Sequence, residues 1–431
     1  MTEKPAFELD LSLQVGKYDI HKLLGKGATG TVYLARDTFS GREVALKTIE
    51  PEVFRDPEFG LVYRAQFLNE ASLAGKLRHP HIVGIYDAVV QEDSGHIAME
   101  LVTGGDLSLH VDAKRLLPVA DVLQIGFKCC GALDYAFKEG IVHRDIKPAN
   151  IMLAQGTDPK IADFGAAYLR KTQVVQVASM GSPFYMSPEQ ISGGELTFHS
   201  DMYSLGVVLY ELLTGRRPFV ADSIDALVEK ILHASPEPPS RIRKGIAPQI
   251  DSAVLRAMKK NPQHRYASWA DFAQELSNAC HDVVSGSAIL DSEKYLALRQ
   301  VEMLKGLPDS ILWELVRAAS WMRVEKNKVL VRENDPGRSF FFLAQGQAKV
   351  VKAGRLLNVL NPGEYYGEMA YLWSGTPPRQ ATVESMTDLL IAEYDSGGVE
   401  RMAVETQLHL MRSLARNLAD RLALANTRLI R

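Results

Sequence analysis

Hydrophobic and polar positions divide the chain into stretches of different period. From Lys17 to about Lys47, short apolar runs alternate with turn residues. This predicts strand, Gly-rich turn, strand, turn, strand, with Phe39-Ser40-Gly41 at one hairpin. Over 60–78, Leu61, Ala65, Leu68, Leu73 and Leu77 recur at helical spacing. After Val119 the pattern is mainly helical, and two helical runs bracket a stretch rich in Gly, Pro, Asp and Asn, 141–189. At 281–295 the texture becomes short and mixed, as expected of a linker. Helical periodicity returns over 296–321 through Leu296, Leu304, Leu307, Leu312 and Leu315. Strand-like runs then follow at 329–331, 340–343, 348–351, 381–383 and 389–391, split by Gly and Pro, which predicts a small antiparallel barrel. The last apolar positions, Leu408, Met411, Leu414, Leu418, Leu422, Ala425 and Leu429, recur every three or four residues and read as a helix.

Composition narrows the class. A length of 431 residues suggests two to three domains, each able to bury a core. With 46% apolar and 23% charged residues the chain is of ordinary globular type, which excludes long disorder and a disulfide scaffold. Basic and acidic residues number 49 and 52, a net charge of −3, so nothing in the balance points to nucleic acid or an anionic membrane. Three cysteines, Cys129, Cys130 and Cys280, cannot all pair with one another, and two adjacent in an apolar run read as core thiols. The N-terminus has no signal-peptide core and no uncharged apolar run is long enough for a membrane span. A cytoplasmic protein is expected.

Candidate chemistry begins at Leu24-Gly25-Lys26-Gly27-Ala28-Thr29-Gly30-Thr31-Val32, a G-x-G-x-x-G between two strands. Glycines let backbone N–H groups approach a polyphosphate. The same spacing marks dinucleotide folds, but there a helix follows, and here another strand does. Lys47, seventeen residues past Gly30, ends Val44-Ala45-Leu46-Lys47 and can reach phosphate oxygens if Glu70 on the next helix anchors it. Alone, the two would read rather as a solvated lysine and a surface glutamate. His143-Arg144-Asp145-Ile146-Lys147-Pro148-Ala149-Asn150, followed thirteen residues later by Asp163-Phe164-Gly165, changes that. It supplies a carboxylate for an attacking hydroxyl, and amide and carboxylate oxygens for magnesium. Ser187-Pro188-Glu189, Asp201 and Arg265 complete the order.

On these motifs, residues 18–280 resemble the eukaryotic-type protein kinases, including those of bacteria. The resemblance implies that Gly25, Gly27 and Gly30 cover ATP phosphates, while Lys47 holds them and pairs with Glu70. It implies an adenine slot of Leu24, Val32, Ala45 and Met152, a gatekeeper Met99, and a hinge at Glu100 and Leu101. Asp145 would take the substrate hydroxyl proton, Lys147 would mark serine/threonine specificity and steady the γ-phosphate, and Asn150 and Asp163 would hold Mg2+. Ser182 would face Asp145, Asp201 would brace the catalytic loop, and Arg265 would pair with Glu189. Arg144 before the catalytic Asp points to activation-loop phosphorylation, for which Thr172 and Ser179 are candidates. Neither sits at the family's commonest spacing from Ser182, and both could be ordinary loop hydroxyls.

The second informative stretch is Gly363-Glu364-Tyr365-Tyr366-Gly367-Glu368-Met369-Ala370, then Pro378-Arg379-Gln380-Ala381-Thr382-Val383. A Gly-Glu turn offers N–H groups and a carboxylate for a sugar hydroxyl, and an Arg eleven residues on can fork onto a phosphate. With the flanks 331–337, 343–347 and 360–363, residues 296–431 resemble the cyclic nucleotide-binding domain, an eight-stranded jelly roll with flanking helices. This implies Glu368 on a ribose 2′-hydroxyl, Arg379 on a cyclic phosphate, backbone from Gly367 and Met369, and Gln380 beside the phosphate Arg. Three departures stand out: ten residues rather than eight between Glu368 and Arg379, Asn334 in place of a common glycine, and Gln380 where cAMP and cGMP sites carry other residues. The nucleotide, cAMP or cGMP, is left open.

The expected architecture is therefore a multidomain α+β chain: a lead-in (1–17), a bilobal kinase domain (18–280), a linker (281–295) and a cyclic nucleotide-binding jelly roll (296–431). The expected function is ATP-dependent phosphorylation of protein serines and threonines, tuned in cis by a cyclic nucleotide. Two alternatives stand beside it: a second-messenger scaffold with a docking-only kinase fold, and an active kinase whose degenerate barrel serves dimerisation. The terminal leucine stripe fits either a homodimer seam or a helix folded back on the barrel, and DNA binding is disfavoured.

Overall fold

A computed structural model describes residues 14–27, 30–49, 51–56, 60–73, 75–91, 94–166, 183–283, 288–373 and 377–429. The chain divides into two compact units, Met1–Val283 and Val284–Arg431.

The first unit opens with strands β1 (Gln14–Val15), β2 (Tyr18–Gly27), β3 (Gly30–Asp37), β4 (Glu43–Ile49), β5 (Ile85–Val90) and β6 (Gly95–Met99), in the order β1-β2-β3-β4-β6-β5. All neighbours are antiparallel. Gln14 and Val15 pair with Asp19 and Tyr18, so the sheet reaches into the stretch expected to be a lead-in. Strand alternation sorts β4. Val44 and Leu46 join Tyr18, Ile20, Ala35 and Ala98 in a cluster on one face. On the other face Ile49 and Ile97 pack against Phe67 of the helix Gly60–Ser72. The sequence pattern predicted a longer helix with a leucine stripe. Instead Leu61 is 84% exposed, and Phe67 and Glu70 are the buried residues that seat it. Gly75, at φ +72°, follows the helix's last turn, and Leu77 lies beyond it.

The helices Val119–Lys138 and Phe198–Thr214 are largely buried, in keeping with their mainly apolar sequences. Cys129, Cys130 and Cys280 are free and buried, and burial pushes the Cys129 thiol up to about 12, as suits core thiols. A short hairpin, β7 (Ile151–Leu153) and β8 (Pro159–Ile161), carries the motif-dense stretch. Buried Arg265 forks onto Glu189 at 2.7 and 2.8 Å, and donates to the carbonyls of His199 and Lys259 at 2.7 Å each. Burial would raise the Glu189 carboxyl, but Arg265 holds it below its ordinary value. Arg265→Ala leaves that carboxylate alone in the interior, so urea unfolding of this unit should lose about 3–5 kcal/mol. A loss below about 1 kcal/mol would contradict this assignment.

The linker expected at 281–295 is shorter than its composition suggested. The helix Trp269–Val283 runs into it from one side and Asp291–Arg299 from the other, because Cys280, Tyr295 and Leu298 are core residues. Past the helix Asp309–Ala318 come eight strands: β9 (Ser320–Val324), β10 (Val329–Val331), β11 (Phe340–Gln345), β12 (Ala348–Lys352), β13 (Arg355–Leu360), β14 (Tyr365–Tyr366), β15 (Thr382–Ser385) and β16 (Leu389–Tyr394). They form two four-stranded sheets, β10-β15-β12-β13 and β14-β11-β16-β9, the expected jelly-roll arrangement. Between the sheets lie Phe341, Leu343, Leu360, Tyr366, Val383 and Ile391. In the terminal helix Val404–Leu429, Leu410 and Leu414 are fully buried, while Leu408 is half exposed. Part of the leucine stripe thus faces its own unit.

Candidate functional site

The kinase-like site is assembled from sheet register. Val32 pairs with Lys47, Lys47 with Ile97, and Ala45 with Met99, so alternation puts Val32, Ala45, Lys47 and Met99 on one face. Leu24 lies at an irregularity between Leu23 and Gly25 and is 47% exposed. Gly27 and Gly30 pair at the ends of β2 and β3. Gly30 has φ +143°, and a Cβ there would lie 2.2 Å from the Thr48 carbonyl oxygen, so no other residue fits. At Gly25 a Cβ would meet no protein atom within 4 Å, so internal packing does not require glycine there.

Lys47 Nζ lies 2.6 Å from Glu70 Oε2 and 3.5 Å from Asp163 Oδ1. Burial works against the ammonium, but the Asp163 and Glu70 carboxylates outweigh it and hold its pKa above the ordinary lysine value. For Asp163 burial acts in the opposite sense to its surroundings. Lys47, Lys147 and His143 hold its carboxyl below the usual carboxylate range. The helix bearing Glu70 is tied to the same loop, since Asn69 Nδ2 donates to the Gly165 carbonyl at 3.3 Å.

The loop 143–150 is held from beneath. The Asp201 carboxylate accepts the backbone N–H groups of His143 (2.7 Å) and Arg144 (2.8 Å), and the His143 ring meets the Ala162 carbonyl at 3.0 Å. Arg144 and Asp163 both adopt left-handed backbone, at φ +67° and +63°. Such conformations cost energy in non-glycine residues and persist only when their surroundings enforce them, as these bonds do. Asp145 Oδ2 accepts from Lys147 Nζ at 2.7 Å and from Asn150 Nδ2 at 3.0 Å. Since the Asn150 amide nitrogen is committed to Asp145, its oxygen is the atom left for a cation. The Ala162 N–H on the Asn150 carbonyl (2.8 Å) keeps Asn150 close to Asp163. One carboxylate and one amide oxygen suit magnesium, which takes few protein ligands and fills its octahedron with phosphate and water oxygens.

Past Met99, the Glu100 N–H donates to the Gly84 carbonyl at 2.8 Å and its carboxylate meets Lys160 at 2.8 Å. Glu100 can therefore offer a ligand its carbonyl but not its N–H. Met152 and Leu101 are partly buried. Thr172, Ser179 and Ser182 lie outside the described residues.

In the second unit, Tyr366, Gly367, Glu368, Met369, Arg379 and Gln380 line one cavity of about 280 Å3. Glu368 and Arg379 are both buried. Gly367 has φ +84° at the turn from β14 into the helix Glu368–Leu372, and a Cβ there would lie 2.7 Å from an Arg379 nitrogen. The Arg379 fork rests on Ser339, with Nη1 on its carbonyl (2.6 Å) and Nη2 on its hydroxyl (3.0 Å). Asn334 adopts φ +71°, which explains how asparagine stands in for glycine: it tolerates left-handed backbone better than other residues. Gln380 is exposed and its amide donates to the Pro378 carbonyl at 3.1 Å. The sequence missed Ser339, which no motif marks, and the apolar wall of Leu357 and Trp373.

Comparison with known proteins finds two domain families along the chain. Residues 18–301 match the protein kinase domain and residues 321–405 the cyclic nucleotide-binding domain. Serine/threonine-protein kinase PknB of Mycobacterium leprae is 39% identical over 267 residues, which are 60% of this chain and 42% of that protein. A probable serine/threonine-protein kinase of Streptomyces coelicolor is 39% identical over 275 residues, 62% of this chain and 40% of its own. Serine/threonine-protein kinase PrkC of Bacillus subtilis is 35% identical over 312 residues, 72% and 47%. The chain thus spans less than half the length of these relatives. With the kinase match covering well over half of its residues, the chain belongs to the protein kinase family and carries a cyclic nucleotide-binding domain behind its kinase domain.

Proposed function

We propose that the chain transfers phosphoryl groups from ATP to serine and threonine hydroxyls of proteins, under control of a cyclic nucleotide. One observation carries the catalytic part. Lys47 bridges Glu70 and Asp163 while Lys147 and Asn150 orient Asp145, and both arrangements must be in place for this chemistry. Lys47 positions the α- and β-phosphates under the glycines at 25, 27 and 30. Asp145 orients the acceptor hydroxyl and takes its proton, and Lys147 stands beside it for the γ-phosphate. Asn150 and Asp163 would hold magnesium, whose positive charge would neutralise the phosphates. Leu24, Val32, Ala45 and Met152 enclose the adenine, with Met99 behind it and the backbone at Glu100 and Leu101 at its edge. A docking-only scaffold has no use for this set of ion pairs, and autophosphorylation with labelled ATP and magnesium separates the two readings. The names of the bacterial relatives support the serine/threonine class. Among the described residues no helix is long and apolar enough to cross a membrane, and the proposal assigns the chain to the cytoplasm, where ATP is supplied.

For regulation, the support is a buried Arg379 that lines a cavity together with Glu368 and is held in place by Ser339. Gly367 and Met369 flank it with backbone, and Gln380 stands at the rim. A route outward exists within the unit, because the Tyr365 hydroxyl donates to Asn417 of the terminal helix at 2.8 Å. We infer that this bond is the route by which ligand at the cassette acts on the terminal helix. If that action biases the active kinase population, saturating cAMP or cGMP should change the kinase rate by about 5- to 150-fold. The same nucleotide should leave Arg379→Ala unresponsive. Equal rates with and without nucleotide in the wild type would reduce the second domain to a tethered module or a dimer seam.

A further inference from the structure

The cassette holds a polar group that neither the motif nor the proposed roles employ. Tyr366 is 5% exposed, and its hydroxyl is buried with no hydrogen-bond partner. Such a group costs stability unless a water, an ion or a ligand supplies its partner. Its position is fixed by packing. Tyr366 pairs with Phe341 across β14 and β11, and the two rings stack at 4.8 Å. The Arg379 guanidinium lies 5.6 Å from the centre of the same Phe341 ring. Tyr366 and Arg379 both line the 280 Å3 cavity. Burial, reinforced by Glu393, pushes the phenol's pKa further up against the pull of Arg379, so it stays protonated and can donate at neutral pH.

We propose that Tyr366 is a further ligand-binding residue, whose hydroxyl donates to an anionic phosphate oxygen of the nucleotide beside the Arg379 fork. This rests on the cyclic-nucleotide reading of the site and deepens it. The ligand supplies the acceptor that the protein withholds. An orphan hydroxyl on a residue lining the same cavity as a buried guanidinium then becomes half of a phosphate clamp.

Tyr366→Phe removes one oxygen and keeps the ring stack, which separates binding from folding. Calorimetric titration of the whole chain with cAMP and with cGMP should give an affinity about 10- to 100-fold weaker in the variant. The factor should be the same for both nucleotides, because they share the phosphate. The ligand-free variant should unfold no earlier than wild type, since an unsatisfied buried hydroxyl has been deleted. Unchanged affinity in a chain that binds nucleotide overturns the proposal. So does a loss confined to one nucleotide, which would assign the hydroxyl to the base. Earlier unfolding also overturns it, by giving the hydroxyl a structural role. A wild type that binds neither nucleotide at millimolar concentration instead overturns the reading of the site itself.

Discussion

Asp145→Asn is expected to lower the phosphoryl-transfer rate by about 10²- to 10⁴-fold, the usual contribution of a positioned general base. The substitution keeps the shape of the side chain. An asparagine oxygen can still accept from Lys147 and Asn150, now at 2.7 and 3.0 Å, so the loop should keep its conformation. What disappears is the negative charge that orients an incoming hydroxyl and receives its proton. ATP affinity should change by less than about twofold, because Asp145 faces the acceptor rather than the purine. Lys47→Met should also remove activity, by a different route. It leaves Glu70 and Asp163 without the cation that holds both, and the phosphates lose their anchor. Radiolabelled transfer assays with parallel ATP titrations check both variants. Near-normal rates in either would sink the kinase assignment.

The second large effect belongs to Arg379. Arg379→Ala should weaken cyclic nucleotide binding by roughly 30- to 1000-fold, through loss of charge-assisted, forked hydrogen bonds in a buried site. The ligand-free fork already rests on Ser339 at 2.6 and 3.0 Å, so it is preorganised and little ordering remains when an anion arrives. The same bonds make the substitution costly to the fold, because the Ser339 carbonyl and hydroxyl lose their donor. Arg379→Lys is the useful companion. It keeps the charge but not the planar fork, and should fall between alanine and wild type. Titration calorimetry reads all three. An affinity in the alanine variant equal to that of wild type would remove Arg379 from the site.

Much of this was legible in the linear chain because phosphoryl transfer leaves little freedom. Each oxygen of the nucleotide and its metal needs a particular donor or acceptor, so the required residues recur in fixed order with short local spacings. That order singled out Lys47, Glu70, Asp145, Asn150 and Asp163 as one candidate site, and the fold brings Lys47 onto Glu70 and Asp163 and Asn150 onto Asp145, with Asp201 beneath the loop and Arg265 on Glu189. The candidate cassette was picked out through Gly367, Glu368 and Arg379, which the structure places at a left-handed turn and at two buried charges. The core thiols followed from the apolar run around them.

Only the tertiary structure decided what depends on partners distant in sequence. The buried face of the Gly60–Ser72 helix follows from Phe67 and the Lys47–Glu70 pair rather than from its leucines, so periodicity misjudged both its stripe and its length. Lys128 looks misplaced in an apolar helix until Asp158, thirty residues on, meets it at 2.5 Å. The lead-in and linker were overdrawn because pairing of Gln14 and Val15, and burial of Cys280 and Tyr295, cannot be read from local texture. The strands Ser320–Val324, Arg355–Leu360 and Tyr365–Tyr366 were not singled out in the sequence and exist through their partners in the two sheets; Leu356 and Leu357 are apolar yet exposed. The grip of Ser339 on Arg379 and the orphan hydroxyl of Tyr366 belong to the same class. A sequence determines which chemistry is carried, since reactive groups are residue types. Which polar atoms are satisfied, and which are left for a ligand, is a property of three-dimensional packing.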